Sequence, residues 1–362
     1  MIKIVNVVGT RPNFIKIAPL IEEMKRRKEI RQVLVHTGQH YDESMSKAFF
    51  NDLQIPKPDI NLGVGSASDT EQMARIMLGF EKILMTEKPD LVVVVGDVNS
   101  TLAAAIGAKK CGVKVAHVEA GLRSFDMRMP EEINRILTDH VSDFLFTTEE
   151  SANNNLASEG IPKERIFFVG NVMIDTLLKH REKAKKSKIL ESLGIKKKDY
   201  CVLTLHRTSN VDDPLALIRI FGIVKEIQKK TKVIFPVHPR TLKNLKKFSI
   251  DKEVKKLNNI ILTEPIGYLD FLFLMANSKF VLTDSGGIQE ETTMLGIPCI
   301  TLRDNTERPV TVEQGTNIAV STDKKKIIRA CDSILNGAGA KAKVPKLWDG
   351  KSAQRIVDIL VK

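Results

Sequence analysis

The residues with the clearest chemical potential are Ser285, Gly286 and Gly287, which follow a short apolar run and precede a segment with helical apolar spacing. This order predicts a buried strand, a tight turn and a helix. Adjacent glycines let the backbone approach a ligand, and the first-turn N–H groups and the helix dipole favour a phosphate. A tight strand-to-helix connection without a ligand is the alternative. Glu290 and Glu291 follow, and one of them could reach back to ribose hydroxyls.

Three carboxylates, Asp97, Glu119 and Glu131, come near strand ends or loops in the first half of the chain. If they are buried close together, some of their pKa values would rise, and acid and base roles could be divided among them. Each one alone could equally be a capping or hydrogen-bonding residue. Asp97 in particular could cap a helix that begins near Ser100.

Positively charged candidates lie in other loops. Arg11 and Lys16 belong to the loop GTRPNFIKIAP, where they could neutralise a diphosphate or a leaving group, or be a helix-start arginine and a surface lysine. His206 follows an apolar run and could bind phosphate, transfer a proton or bond the backbone. The loop is not a dinucleotide fingerprint, since GxGxxG is absent, and the chain has no GxxxxGK[ST].

The composition is typical of a globular protein. The chain has 362 residues, 43% hydrophobic and 28% charged, and this length favours two domains. No apolar run approaches the ~20 residues that span a bilayer, and the amino terminus shows no signal-peptide pattern. We therefore expect a cytoplasmic protein with no membrane partner. The four scattered cysteines predict reduced thiols, and no metal site is indicated.

The net charge of +12 is concentrated in lysine-rich stretches that also carry helical apolar spacing. Such stretches are usually the solvated faces of helices. No aromatic platform is interleaved with the charge, so nucleic acid is not expected as a partner. The excess positive charge suits an anionic small substrate.

Apolar runs alternate along the chain with helix-like segments, which is typical of parallel sheets covered on both faces. We predict an α/β fold with two Rossmann-like, doubly wound domains, at residues 1–170 and 171–349, with a last helix at 350–362 that could pack on either. Ligands bind beyond the carboxyl ends of such strands. The polar residues described above would line a single cleft if the two domains face each other.

Many segments, in this order, resemble the non-hydrolysing UDP-N-acetylglucosamine 2-epimerases. They include GTRPNFIKIAPL, HTGQHYD, VVGDVNSTLAAA, HVEAGLRS, PEEINRILTDH, TLHR, PVHPR, DSGGIQEE and LRDNTERPVTVEQGTN. The resemblance implies a glycosyltransferase-B architecture with the nucleotide sugar in the interdomain cleft, a homodimer and no nicotinamide cofactor. It also implies reversible conversion of UDP-N-acetylglucosamine to UDP-N-acetylmannosamine, with UDP eliminated and added back.

The resemblance assigns roles to matching positions. It implies diphosphate contacts at Arg11, His206, Ser285, Gly286 and Gly287, a ribose contact at Glu291, a uracil neighbourhood at Ile266 and Phe271, a further sugar or phosphate contact at Arg308, and catalytic roles for Lys16, Asp97, Glu119, Glu131 and His206.

The chain departs from many bacterial members after His206 and Arg207, where it has Thr208, Ser209 and Asn210, and again at Tyr41 and Asp42. These differences put activation by a second substrate molecule in doubt. Alternative functions are a hydrolysing 2-epimerase that releases N-acetylmannosamine and UDP, a UDP-sugar glycosyltransferase, or a nucleotide-sugar sensor. An NAD-dependent epimerase is disfavoured because both the glycine fingerprint and a YxxxK motif are absent.

Overall fold

The computed structural model describes residues 1–39, 52–338 and 342–362. These residues form two compact units. The first contains residues 1–179 and 346–362, and the second contains residues 180–345. The division falls within the helix Val172–Ala184, whereas the sequence placed the boundary just before this helix, at residues 170 and 171.

The first unit is built on a sheet of parallel strands. In chain order they are β1 (Ile2–Val8), β2 (Ile30–His36), β3 (Ile60–Asn61), β4 (Leu91–Val95), β5 (Lys114–Ala120), β6 (Phe144–Thr147) and β7 (Ile166–Phe168). Their order across the sheet is β3-β2-β1-β4-β5-β6-β7. The strand β4 is apolar and buried at every position, as expected for a strand covered on both faces.

Helices connect these strands. They are α1 (Arg11–Lys25), α2 (Asp69–Glu87), α3 (Asn99–Lys110), α4 (Pro130–Val141), α5 (Glu150–Ser158) and α6 (Val172–Ala184), with a 3₁₀ turn at Lys163–Arg165. Strand order reverses between β1 and β4, so the carboxyl ends of these two strands flank a topological switch point. Ligands bind at such points in open α/β sheets.

The second unit repeats this architecture. Its parallel strands are β8 (Tyr200–Thr204), β9 (Lys232–Pro236), β10 (Ile260–Thr263), β11 (Val281–Thr283), β12 (Cys299–Thr301) and β13 (Asn317–Ala319). Their order is β10-β9-β8-β11-β12-β13. The switch point therefore lies between β8 and β11. His206 follows the first of these strands, and Ser285 follows the second.

The helices of the second unit cover its sheet. They are α7 (Ile189–Ser192), α8 (Thr208–Val211), α9 (Pro214–Ile227), α10 (Pro239–Lys247), α11 (Asp251–Lys255), α12 (Tyr268–Ala276), α13 (Gly286–Leu295), α14 (Val310–Glu313) and α15 (Lys324–Leu335). Apolar side chains from α9 and α15 pack on the strands in one buried cluster.

The last helix, α16 (Ser352–Leu360), belongs to the first unit and packs against α1. Its start is fixed by the buried Asp175, whose carboxylate accepts the N–H groups of Ser352 and Ala353 at 3.2 and 2.7 Å. Such contacts satisfy first-turn donors that have no partner inside a helix.

The predicted α/β class, with two doubly wound parallel sheets, is confirmed. Two strands were not predicted, β3 and β13. Each lies at an edge of its sheet and has only two or three residues, none of which is a fully buried apolar residue that would mark a strand. In the part of the chain that the structure describes, no helix is both long and apolar enough to cross a bilayer.

Candidate functional site

Lys16 and Glu119 form a buried ion pair in the first unit. Lys16, on α1, is 5% exposed, and its Nζ lies 2.6 Å from Oε1 of Glu119, which is 3% exposed at the end of β5. The pair is close to the loop after β4, because a Cβ atom added at Gly96 would lie 2.8 Å from Lys16 Nζ. A side chain at position 96 would crowd this amine, and the positive φ of Gly96, 69°, favours glycine there.

The backbone at Glu119 is unusual. Its φ is +75°, which side-chain-bearing residues rarely adopt, and the pairing of β5 with β6 shifts register between Val118 and Ala120. Register shifts of this kind are common next to active sites, where they redirect a side chain. Strain at such a residue is a recognised mark of a functional position.

Asp97 follows β4 and is held by Arg135. Arg135 Nη1 donates to Asp97 Oδ2 at 2.5 Å, and Asn134 Nδ2 donates to the Asp97 carbonyl at 2.9 Å. The side chain of Asp97 remains 22% exposed, whereas that of Arg135 is 2% exposed. The helix α3 begins at Asn99 with Val98 as its N-cap residue, so Asp97 lies one residue before the N-cap position.

Glu131 and Glu132 occupy the first turn of α4 but differ in environment. Glu131 is half-buried. Glu132 is 1% exposed, pairs with Arg135 at 2.6 Å and accepts the N–H groups of Ser124 and Phe125. Glu132 therefore anchors both Arg135 and the loop before α4, a role that the sequence interpretation missed. Its spacing of three from Arg135 was the available signal.

A buried network supports the loops that carry these carboxylates. His117 contacts the Gly96 carbonyl through Nε2 at 2.8 Å and Asp139 Oδ1 through Nδ1 at 2.6 Å. Asp139 also accepts from Arg123 Nη1 and from the N–H of Gly121. Burial opposes ionisation of Asp139, but His117 and Arg123 outweigh it and lower the pKa of this carboxyl. The network fixes the backbone just before Asp97 and just after Glu119.

Asn13 connects α1 by hydrogen bonds to the switch point between β1 and β4. Its Oδ1 accepts the N–H groups of Gly9 and Thr10, and its Nδ2 donates to the Val95 carbonyl at 2.9 Å. Arg11 is the first residue of α1, directly after this bridge. The first unit thus places Arg11, Lys16 and the loop of Asp97 around the ends of β1 and β4.

The glycine turn of the second unit has the predicted geometry of strand, turn and helix. Ser285 is extended, with φ −85° and ψ 133°, and α13 begins at Gly286. A Cβ atom at Gly286 would lie 2.7 Å from both Arg308 Nη1 and Glu307 Oε1. A side chain at position 286 would therefore have to displace the ends of these two charged side chains. The first N–H groups of α13 lack partners within the helix and suit an anion.

Asp284 organises the residues on both sides of the second switch point. It is fully buried and accepts the N–H groups of His206 and Arg207 and the Nδ2 of Asn210. His206 Nδ1 lies 2.9 Å from Asp284 Oδ1, which leaves Nε2 for a ligand. Burial alone would raise the pKa of Asp284, but His206 and the other donors outweigh it and lower the pKa to about 2. From the sequence, Asp284 was only one of the polar residues at a strand end, and no role was assigned to it.

Glu290 and Glu291 have different partners. Glu290 Oε1 lies 2.8 Å from Arg308 Nε, so this carboxylate is an ion-pair partner. Glu291 accepts from Tyr268 Oη at 3.0 Å. Burial and the adjacent charge of Glu290 raise the pKa of Glu291 to about 7, although the Tyr268 hydrogen bond opposes the shift.

The residues suggested for uracil lie on either side of Tyr268. Ile266 precedes α12 and Phe271 lies in its first turns, and both are half-buried. The hydrogen bond of Tyr268 to Glu291 connects α12 to α13. The uracil and ribose candidates are therefore linked through one tyrosine.

Glu291→Gln is expected to change the pH dependence of stability. Glu291 ionises above about pH 4.5 in the unfolded chain but only above about pH 7 when folded. Its contribution to stability is therefore lost between these values as pH rises. The variant should be more stable than the wild type by about 3 kcal/mol above pH 7, and equally stable near pH 4.

Denaturant unfolding between pH 4 and 8 measures this difference. Glu182→Gln, at an exposed position of the same unit, is the control and should leave the profile unchanged. If the free energies of unfolding of Glu291→Gln and wild type differ by the same amount from pH 4 to pH 8, the raised pKa of Glu291 is contradicted.

The comparisons with known proteins decide the family. The model of the UDP-N-acetylglucosamine 2-epimerase family matches residues 22–361. The chain belongs to this family. It is 48% identical over 359 residues to the UDP-N-acetylglucosamine 2-epimerase of Methanocaldococcus jannaschii, covering 98% of this chain and 97% of that one.

Other family members and structures agree. The UDP-2,3-diacetamido-2,3-dideoxy-D-glucuronate 2-epimerase of Pseudomonas aeruginosa is 39% identical and covers 99% of both chains. The crystal structure of the M. jannaschii epimerase with UDP-GlcNAc and UDP has a TM-score of 0.94, 47% identity and 99% coverage of both chains. That of the Neisseria meningitidis epimerase bound to UDP-GlcNAc has a TM-score of 0.91 at 32% identity, covering 99% of this chain and 100% of that one.

Family membership makes this chain an isomerase-type enzyme, and the predicted family is confirmed. Tyr41 and Asp42, for which the sequence suggested a departure from the family pattern, lie outside the described residues. Within the described ranges, no three His, Cys, Asp or Glu side chains form a group that could hold a metal ion.

Proposed function

We propose that this epimerase interconverts UDP-N-acetylglucosamine and UDP-N-acetylmannosamine by eliminating UDP and adding it back. The observation that carries the proposal is the pairing of carboxylates with fixed cations at one switch point, Glu119 with Lys16 and Asp97 with Arg135. Acid and base groups of this kind suit proton transfer. The names of the similar proteins, all 2-epimerases of UDP-linked acetamido sugars, support the substrate class.

The chemistry requires the C–O bond to weaken before the proton leaves. The proton on the second carbon is not adjacent to a carbonyl group. As the bond from the first carbon to UDP breaks, its electron pair leaves with UDP, and the positive charge that develops acidifies the neighbouring C–H bond. A base takes the proton, and the C–H electron pair forms a double bond between the two carbons. UDP then adds back to this 2-acetamidoglucal, and a proton enters from the opposite face.

In this mechanism Asp97, Glu119 and Glu131 supply the acid and base functions. Lys16 has a double role, because it orients Glu119 through their ion pair and can neutralise charge on the leaving group. The strained backbone at Glu119 fixes the direction of its carboxylate. Epimerisation needs proton transfer on two faces of one ring, so more than one of these groups must act.

The second unit supplies the contacts to UDP in the same proposal. Ser285, Gly286 and Gly287 offer first-turn N–H groups to the diphosphate, joined by His206 and Arg308. Glu291 accepts from the ribose hydroxyls, and Ile266 and Phe271 adjoin the uracil. Arg11 is a further diphosphate contact. Buried donors aimed at the departing oxygen stabilise charge as it develops.

Product analysis tests this function. Purified protein incubated with UDP-N-acetylglucosamine should form UDP-N-acetylmannosamine until a constant ratio is reached, and the same ratio should be reached from the other sugar. Chromatography coupled to mass spectrometry separates the nucleotide sugars from UDP. Stoichiometric release of UDP and free N-acetylmannosamine would overturn the proposal in favour of a hydrolysing epimerase, and product that forms only with an added sugar acceptor would indicate a glycosyltransferase.

A further inference from the structure

Glu307 is a buried carboxylate that contacts three guanidinium groups. Its Oε1 lies 2.6 Å from Arg308 Nη1 and 3.3 Å from Arg207 Nη2. Its Oε2 lies 2.7 Å from Arg303 Nη2. The side chain of Glu307 is 2% exposed, so solvent screens these contacts little. One carboxylate thus joins arginines from two separate loops, one after β8 and one after β12.

Three guanidinium groups contact Glu307, and Arg308 also contacts the Glu290 carboxylate. The ionised Asp284 lies next to them, where it accepts from the backbone N–H of Arg207. Burial lowers the pKa of the Arg303 guanidinium; Glu307 opposes the shift and Arg207 adds to it. Arg303 Nη1 is buried without a hydrogen-bond partner in the described structure. Guanidinium donors held in this way suit the recognition of an anion nearby.

The cluster adjoins the start of α13. A Cβ atom at Gly286 would come within 2.7 Å of Arg308 Nη1 and Glu307 Oε1. Arg207 Nε donates to the Asp284 carbonyl, at 3.2 Å, immediately before the glycine turn. The guanidinium groups and the first N–H groups of α13 therefore occupy the same edge of the sheet.

A negative charge beside an anion site is unfavourable by Coulomb's law. Glu307 must therefore have a role that offsets this unfavourable energy. Its contacts with the arginines provide such a role. Without Glu307, Arg207 and Arg308 would repel each other, and each long side chain would lose one of the contacts that restrict its rotamers.

We propose that Glu307 is a positioning residue for the diphosphate of the nucleotide sugar, holding Arg207 and Arg308 in fixed orientation at the start of α13. This inference rests on the proposed function, because it assigns the anion to UDP. The positioning role and a simple charge effect predict opposite changes in the affinity for the diphosphate. Glu307→Gln raises the net charge of the site by one and would strengthen diphosphate binding through charge alone, whereas loss of positioning weakens it.

Calorimetric titration of wild type and Glu307→Gln with UDP and with uridine distinguishes the two effects. Loss of charge-assisted contacts of this kind corresponds to at least a roughly tenfold weaker UDP affinity. Uridine lacks the diphosphate, so its affinity should stay the same. Glu307→Asp keeps the charge but shortens the side chain, and it should also weaken UDP binding alone. This second variant decides the question if Glu307→Gln does not fold.

Asp332→Asn is the matched control, because it removes one negative charge from a surface ion pair with Lys230 in the same unit. It should leave both affinities unchanged. Unchanged or tighter UDP binding by the Glu307 variants, or equal weakening of UDP and uridine, overturns the positioning role and leaves the proposed function standing. Wild-type protein that does not bind UDP overturns both.

Discussion

Replacing Asp97 by asparagine is expected to lower the turnover number for epimerisation by roughly 10²–10⁴-fold, the usual contribution of a general acid or base. The amide cannot exchange a proton as the carboxylate does. It keeps an oxygen that can accept from Arg135 Nη1, which lies 2.5 Å from Oδ2 in the wild type. The effect should therefore appear in kcat, with little change in UDP affinity. Steady-state kinetics together with a UDP titration measure both quantities.

Asp358→Asn is a suitable control, because Asp358 is a half-exposed surface partner of Arg27 in the same unit. Its kcat should equal that of the wild type. Near-normal turnover by Asp97→Asn would show that Asp97 has neither an acid nor a base role.

Asp284→Asn is expected to have the largest effect on stability. Asp284 is fully buried and accepts from His206 and from the backbone N–H of Arg207. An asparagine would present an amide N–H₂ group to some of these donors. Each buried donor left unsatisfied costs about 1–3 kcal/mol, and His206 loses its orientation. We expect a lower free energy of unfolding for the second unit and weaker UDP binding.

The low pKa of Asp284 also fixes the sign of a pH effect. Its pKa is about 2 in the folded protein, against 3.8 for an ordinary carboxyl. The contribution of Asp284 to stability is therefore complete above about pH 4 and is lost as pH falls through about 2. This contribution is about 2 kcal/mol. In Asp284→Asn this part of the free energy of unfolding should not decrease when the pH falls from about 4 to about 2, as it does in the wild type.

Chemical denaturation at several pH values checks both expectations. Asp213→Asn is the comparison variant, because Asp213 is an exposed cap that accepts the N–H groups of Leu215 and Ala216 at the start of α9. Asparagine caps helices about as well as aspartate, so this variant should change the free energy of unfolding by less than about 1 kcal/mol. An Asp284→Asn protein that is destabilised no more than Asp213→Asn would contradict the account of this buried carboxylate.

The strands and the turns between strand and helix were predictable because their signals are local. The buried run 91–95 indicates β4, and adjacent glycines after a short apolar run indicate the start of α13. The rule that ligands bind where parallel strands end then selects Asp97, His206 and Ser285 as candidates. Local sequence patterns and one topological rule are therefore enough to predict these elements and these candidate residues.

The partners of these residues were not predictable, because they come from distant parts of the chain. Arg135 is 38 residues from Asp97, and Asp284 is 77 residues from Arg207. No periodicity in the sequence indicates such pairs. For the same reason Asp97 was a plausible helix cap from its position before α3, whereas in the structure a buried arginine determines its orientation.

Proton NMR of the wild-type protein with UDP-N-acetylglucosamine in deuterated water, without added metal or NAD, tests the central claim most directly. Elimination and re-addition of UDP should yield UDP-N-acetylmannosamine with deuterium at the second carbon, because the proton that returns comes from a group that exchanges with solvent. UDP-N-acetylmannosamine that retains its original hydrogen at that carbon would contradict the mechanism and indicate direct transfer of the hydrogen.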